Sequence, residues 1–221
     1  EIIKFRREVN FLNLLNQNNI LCVPKLITSD EEKIWIIYYW IEGDKTTILS
    51  YELIKKIIDF LVLLKEIEPS AKVKNIYQAS EACFNSFDFV KNIDNRIQNI
   101  IKKSNYNLTL KSIYKRLIEK EVEIYNKHIK ENLISENVNH YITKSNRILT
   151  QSDMGIHNII VNSKGYFFID FEHSGWDTII KTISDLILQP NHIIYPEEIN
   201  KFLKIASKHF IIDNFKSANC K

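Results

Sequence analysis

The chain has 221 residues, 45% of them apolar and 26% charged, the values of an ordinary globular protein rather than a disordered or fibrous one. Lysine and arginine exceed aspartate and glutamate only by 30 to 27 and lie scattered, so no basic stripe points to nucleic acid as a partner. No apolar run approaches the ~20 residues that cross a bilayer, and no charged-then-apolar signal opens the chain, which predicts a cytoplasmic protein without a membrane partner. Cys22, Cys83 and Cys220 are far apart and odd in number, lack zinc or redox spacing, and fit a reducing compartment.

Ile2, Phe5, Val9, Leu12 and Leu15 recur every three or four positions, the period of a helix with one apolar face, and Glu8 lies off that stripe. The chain opens at Glu1, without a methionine and already inside this helix, so a segment upstream is expected. Pro24 ends the helix. Lys33 to Ile41 is dense in Ile, Tyr and Trp and predicts a strand buried on both faces, followed by a turn at Glu42-Gly43-Asp44.

Leu53, Ile54, Ile57, Ile58, Leu61 and Leu64 then mark an amphipathic helix that stops before Pro69. Weaker helical patterns follow near Ala82 to Lys102 and Thr109 to Glu131. Between Arg147 and Phe171 the pattern changes to short apolar runs separated by turn formers. Ile159 to Val161 and Tyr166 to Ile169 read as two strands joined by Asn162-Ser163-Lys164-Gly165. Ile179, Ile183, Leu186 and Ile187 predict another helix. Pro196 with Glu197 and Glu198 forms a good first turn for the last one, since proline suits the first helical position and carboxylates the positive helix end.

Of the glycines Gly43, Gly155, Gly165 and Gly175, the last three punctuate the segment that also holds Asp153, Asn158 and Asp170. Asn158 begins one leg of the hairpin and Asp170 ends the other, so the two should face one another. A carboxylate and an amide oxygen are hard ligands suited to magnesium, which takes its remaining ligands from water and substrate phosphates. Asp153 then remains to act on a substrate hydroxyl, and a metal plus a base or orienting group are the parts phosphoryl transfer needs.

Gln151-Ser152-Asp153-Met154-Gly155-Ile156-His157-Asn158 and Ile169-Asp170-Phe171-Glu172 resemble the catalytic and metal-binding loops of the aminoglycoside phosphotransferase and choline kinase-like family. Gly175-Trp176-Asp177 and Ser184-Asp185-Leu186 resemble the elements that follow them there. The family's usual loop begins His-Gly-Asp, where this chain has Gln151-Ser152-Asp153, and Glu172 stands where protein kinases carry the glycine of Asp-Phe-Gly.

The resemblance implies Asp153 as catalytic base, Asn158 and Asp170 as magnesium ligands, and a structural role for Asp185. It implies that Glu8 pairs with a strand lysine and that Tyr38 to Ile41 form the hinge, so Glu8, Tyr39, Trp40 and Ile41 would serve the nucleotide. That lysine and the phosphate-covering loop would lie upstream of Glu1. The fold implied is α+β and bilobal, protein-kinase-like: a partial nucleotide lobe at 1–43 and a mainly helical lobe at 44–221 carrying the catalytic hairpin. The activity implied is transfer of the γ-phosphoryl of ATP, or GTP, to a hydroxyl of a sugar, aminoglycoside-like or amino-alcohol acceptor.

Other readings compete at single positions. Glu8 is otherwise a solvated helix carboxylate. For His157 and His173, loop hydrogen bonding or core burial is favoured over a role as ligand or base. Asp177 reads first as a helix cap, and Glu172 either as a surface carboxylate or as a contact to metal or substrate. For the whole chain, the competing reading is a non-catalytic pseudokinase or a truncated binding or scaffold protein.

Overall fold

A computed structural model describes residues 1–46, 48–68, 76–144, 147–189 and 196–210. The expected helix stop at Pro69 and the cysteine at Cys220 lie outside them. Two compact units divide the chain, Glu1–Ala82 with Asn146–Lys221, and Cys83–Ser145. The lobe boundary expected at residue 43 falls inside the first unit.

In the first unit, α1 (Ile2–Gln17) buries Phe5, Phe11, Leu12, Leu14 and Leu15. The chain then forms a hairpin of β1 (Leu26–Asp30) and β2 (Trp35–Tyr38), antiparallel from Leu26 opposite Tyr38 to Asp30 opposite Trp35. The single doubly buried strand expected over Lys33 to Ile41 is not found. Residues 31–34 make the hairpin turn, and β2 is mostly exposed. The apolar composition of Trp35 to Tyr38 was a poor guide to burial because, among the described residues, β1 is the one strand paired with β2.

Asp44–Lys45 form β3, which pairs with β5 (Ile159–Asn162). Gly43 sits just before it at φ +151, and a Cβ there would lie 2.5 Å from the Val161 carbonyl oxygen. Close backbone approach and a φ open mainly to glycine therefore coincide. Next, α2 (Tyr51–Ile67) starts on Ser50, whose side chain accepts the Leu53 N–H, and buries Leu53, Ile54, Ile57, Ile58, Phe60, Leu61 and Leu64. This is the apolar stripe legible in the sequence, and it forms the centre of the core.

The regular secondary structure described in the second unit is all helical. It comprises α3 (Ser86–Tyr106), then α4 (Leu108–Ile113), α5 (Glu119–Ile124) and α6 (Lys130–Ile134) joined by π-helical turns at Tyr114–Ile118 and Tyr125–Ile129, and α7 (Glu136–Lys144). The two helical patterns expected here are present, and α7 adds a third. Within this unit the Asp94 carboxylate receives Lys130 Nζ at 2.7 Å and the buried Tyr125 hydroxyl at 3.3 Å.

The chain returns to the first unit through β4 (Arg147–Thr150), which pairs with β7 (Gly175–Thr178). Between them lies the hairpin of β5 with β6 (Gly165–Phe168), in register Ile159 opposite Phe168 through Asn162 opposite Gly165. The hairpin is the one expected, with pairing carried into its turn. Phe168 stacks on Phe60 of α2 at 4.2 Å between ring centroids; burial of a phenylalanine contributes about 1.5–3 kcal/mol. The strand β7 was not legible as one, because Gly-Trp-Asp-Thr lacks an apolar alternation. Thr178 caps α8 (Ile179–Ile187) by accepting the Lys181 N–H, and Asp177, the expected cap, accepts the Thr178 N–H at 2.8 Å. The last helix, α9 (Pro196–Ala206), begins where the Pro-Glu-Glu signal places it.

Candidate active site

The hairpin gathers the expected loop residues. Asn158 is 3% exposed, and its Nδ2 donates to the Asp153 carbonyl oxygen at 3.1 Å. Its own backbone carbonyl accepts the Ile169 N–H at 3.0 Å, which fixes Asn158 beside the residue preceding Asp170. Gln151, fully buried, donates through Nε2 to the carbonyls of Ile169 and, at 3.2 Å, Asp170. One side chain thereby ties the loop of Asp153 to the loop of Asp170. Gln151 Oε1 is the one buried side-chain polar atom among the described residues with no hydrogen-bond partner.

Both loops contain residues with left-handed backbone, Ser152 at φ 70 and Asp170 at φ 68. Non-glycine residues there cost free energy and concentrate at functional sites. The Asp153 carboxylate accepts from Gln189 Nε2 at 2.9 Å through Oδ1, and its Oδ2 lies 3.5 Å from His157 Nε2. Thus His157 stands beside the loop carboxylate. His173 Nε2 is 3.0 Å from Glu172.

The second wall is α1. Phe11 stacks on Phe171 at 5.7 Å, and Lys4 Nζ reaches the Glu172 carboxylate at 2.6 Å. That ammonium and the nearby His173 hold Glu172 below the usual carboxylate range. Glu8 lies between them on the same helix. Burial, with Asp170 and then Glu172 adding repulsion, pushes its carboxyl up to about 7, while the Phe171 backbone N–H pulls the other way. Burial, followed by the charges of Glu8 and Asp170, likewise raises Tyr38. A cavity of 360 Å³ opens here, lined by Lys4, Phe5, Glu8, Ile36, Tyr38 and Glu172 among others.

Of the expected hinge, Trp40 and Ile41 border a separate 540 Å³ cavity with Gly43, Asn162, Lys164 and Phe167. Trp40 is 84% exposed, and the Tyr39 N–H is taken by the Lys25 carbonyl at 3.0 Å. Asp185 faces Lys181 in an ion pair.

No protein-family model matches the chain, and no curated protein does. Among solved structures, the chain is similar to the gentamicin complex of APH(2″)-IIa, at 18% identity and a TM-score of 0.53, over 93% of this chain and 66% of that one. The streptomycin–ATP ternary complex of APH(2″)-IIa matches at 17% identity and a TM-score of 0.54, over 93% and 67%. The chain has the protein-kinase-like fold of the aminoglycoside phosphotransferases. The chain spans 66% of the first neighbour's length.

The chemistry of the donor set fits a magnesium ion. Asn158 commits Nδ2 to Asp153 and leaves Oδ1, a hard oxygen, while Asp170 supplies an exposed carboxylate. The negative charge gathered at Asp170, Glu8 and Glu172 is what a divalent cation would offset. No group of three or more His, Cys, Asp or Glu forms a metal cage among the described residues. Gln189 is the residue that sequence reasoning missed. It lies 36 positions from Asp153, and no local pattern marks it.

Proposed function

We propose that this chain belongs to an ATP-dependent phosphotransferase that moves the γ-phosphoryl group of ATP, or GTP, to a hydroxyl of a small molecule. The observation that supports this most is the union of Asp153, Asn158 and the Asp170 loop by Asn158 Nδ2, the Ile169 N–H and Gln151 Nε2. Asp153 is the catalytic base: Oδ2 takes the proton of the acceptor hydroxyl as that oxygen attacks the γ-phosphorus and ADP leaves. Asn158 and Asp170 hold the metal. Magnesium, when bound, supplies charge neutralisation at the phosphate oxygens.

The nucleotide role of Tyr39, Trp40 and Ile41 is narrowed by their surroundings. Because the Tyr39 N–H already serves Lys25, Trp40 and Ile41, which border the 540 Å³ cavity, are the stronger candidates. The neighbours' complexes hold gentamicin and streptomycin, whereas this chain's formal charge of +3 favours a less cationic hydroxyl acceptor, a sugar or an amino alcohol.

Turnover decides the matter. Asp153→Asn should lower the rate of ADP release by on the order of 10² to 10⁴, and equal rates in the two purified proteins defeat the assignment. A second reading is a non-catalytic binding protein, which nucleotide binding and turnover measured side by side separate from the first. MgATP should raise the melting temperature of the wild-type protein by linkage, with the rise lost in EDTA and in Asp170→Asn. A nucleotide-dependent rise without ADP release from any acceptor selects the second reading.

A further inference from the structure

We propose that Gln189 is a positioning residue for the Asp153 carboxylate, an inference that rests on the phosphotransferase reading above. Gln189 follows Leu188, the residue that closes α8, and its Nε2 donates to Asp153 Oδ1 at 2.9 Å. The Gly155 N–H approaches the same oxygen at 3.4 Å. Oδ2, on the other side, has His157 Nε2 at 3.5 Å, longer than the 2.6–3.2 Å at which a general base meets its proton donor. One oxygen is thus held and the other left for an acceptor hydroxyl.

The physical need for such a residue follows from the carboxylate itself. The terminal torsion of aspartate is broad and two-fold, and Asp153 stands on a loop with its side chain 34% exposed. Without a donor at Oδ1, the group samples orientations in which neither oxygen points at the acceptor, and loss of alignment is expensive in rate. An amide suits the task better than an ammonium. It donates a hydrogen bond without adding a positive charge beside a base that must accept a proton. The chemistry also fixes its orientation, since an ionised carboxylate only accepts and so Nε2 must face it.

Gly155 belongs to the same device. A Cβ at that position would stand 3.3 Å from Gln189 Cδ and 2.5 Å from His157 Nδ1. The glycine of the catalytic loop therefore leaves space in which both flanking side chains reach Asp153, and Gly155→Ala should perturb them together.

Two measurements on the full chain test the proposal. In the ligand-free protein, the ¹H–¹⁵N side-chain amide signals of Gln189, assigned by their loss in Gln189→Leu, should move when Asp153 is replaced by Ala; unmoved signals overturn it. In steady-state ADP release from MgATP with water, glucose, choline and gentamicin as acceptors in turn, Gln189→Leu should lower kcat roughly tenfold, with KM for ATP within about twofold of wild type. Gln189→Glu should lower kcat further, because two carboxylates then repel. Unchanged kcat in both variants overturns the proposal alone, as does a kcat loss matched by a raised KM and a lowered melting temperature, which marks a structural role. A wild-type protein that releases no ADP while its Gln189 signals still answer to Asp153→Ala overturns the phosphotransferase reading, and the positioning role with it.

Discussion

Phe11 of α1 and Phe171, the residue after Asp170, stack with ring centroids 5.7 Å apart and both are fully buried. The loop that presents Asp170 is therefore anchored in the core through its next side chain, which also meets the edge of Phe60 at 6.5 Å. Stability and site geometry share this contact.

Phe171→Ala should remove about 3–5 kcal/mol of stability, the cost of deleting a buried phenylalanine from a core that relaxes only in part. Urea unfolding monitored by circular dichroism measures it. The same variant should lose the melting-temperature rise given by MgATP, because the Asp170 loop loses its anchor.

Lys4 and Glu172 make a short contact, yet their side chains are 46% and 35% exposed. Solvent-screened pairs of this kind contribute roughly 0.2–1 kcal/mol. A double-mutant cycle with Lys4→Met and Glu172→Gln should return a coupling in that range, and a coupling near that of a buried pair would show that the model of a surface tether is wrong.

Glu8 gives the metal-free protein a pH dependence. Its carboxyl moves from an ordinary value of 4.5 to about 7 on folding, so the folded state holds the proton more tightly than the unfolded one. The associated stability is fully present below pH 4.5 and is lost as pH rises through about 7. In EDTA, melting temperatures of wild type should fall over that interval relative to Glu8→Gln, for which this component is absent.

Gly175 and Gly165 both have positive φ, at +151 and +129, but differ in their surroundings. A Cβ on Gly175 would stand 2.6 Å from the Ala79 nitrogen, while one on Gly165 meets nothing within 4 Å. Gly175 is held there by the 77–80 segment, which pairs with β7 through Ala79 N–H to Trp176 O and Trp176 N–H to Tyr77 O. Gly175→Ala should therefore cost more than the 1–3 kcal/mol of backbone strain alone, and Gly165→Ala no more than that strain. Thermal unfolding of the two variants gives the comparison.

What could be read in advance were features carried by neighbours along the chain. The stripe from Leu53 to Leu64 announces α2 because one helix face collects positions three and four apart. The Asn-Ser-Lys-Gly connection announces the β5–β6 hairpin. Strand β7 escaped notice because pairing with β4 and with the 77–80 segment, not its own residues, makes Gly-Trp-Asp-Thr extended. The exposure of β2 escaped notice for a related reason: β-forming composition reports fitness for a pleated surface, not whether anything covers it.

By itself the sequence determined the type and order of the main elements and the spacing of Asp153, Asn158 and Asp170, since periodicity, turn chemistry and a hairpin's reach are short-range properties. Tertiary structure alone decided that Gln189 grips Asp153 across 36 positions, that Gln151 joins the two loops, and that Glu8 is pressed against Asp170. Such contacts depend on where α1 and α8 come to rest after their apolar faces are buried, and burial is non-directional in sequence: it fixes which faces turn inward, while the fold of the whole chain fixes which polar groups then meet.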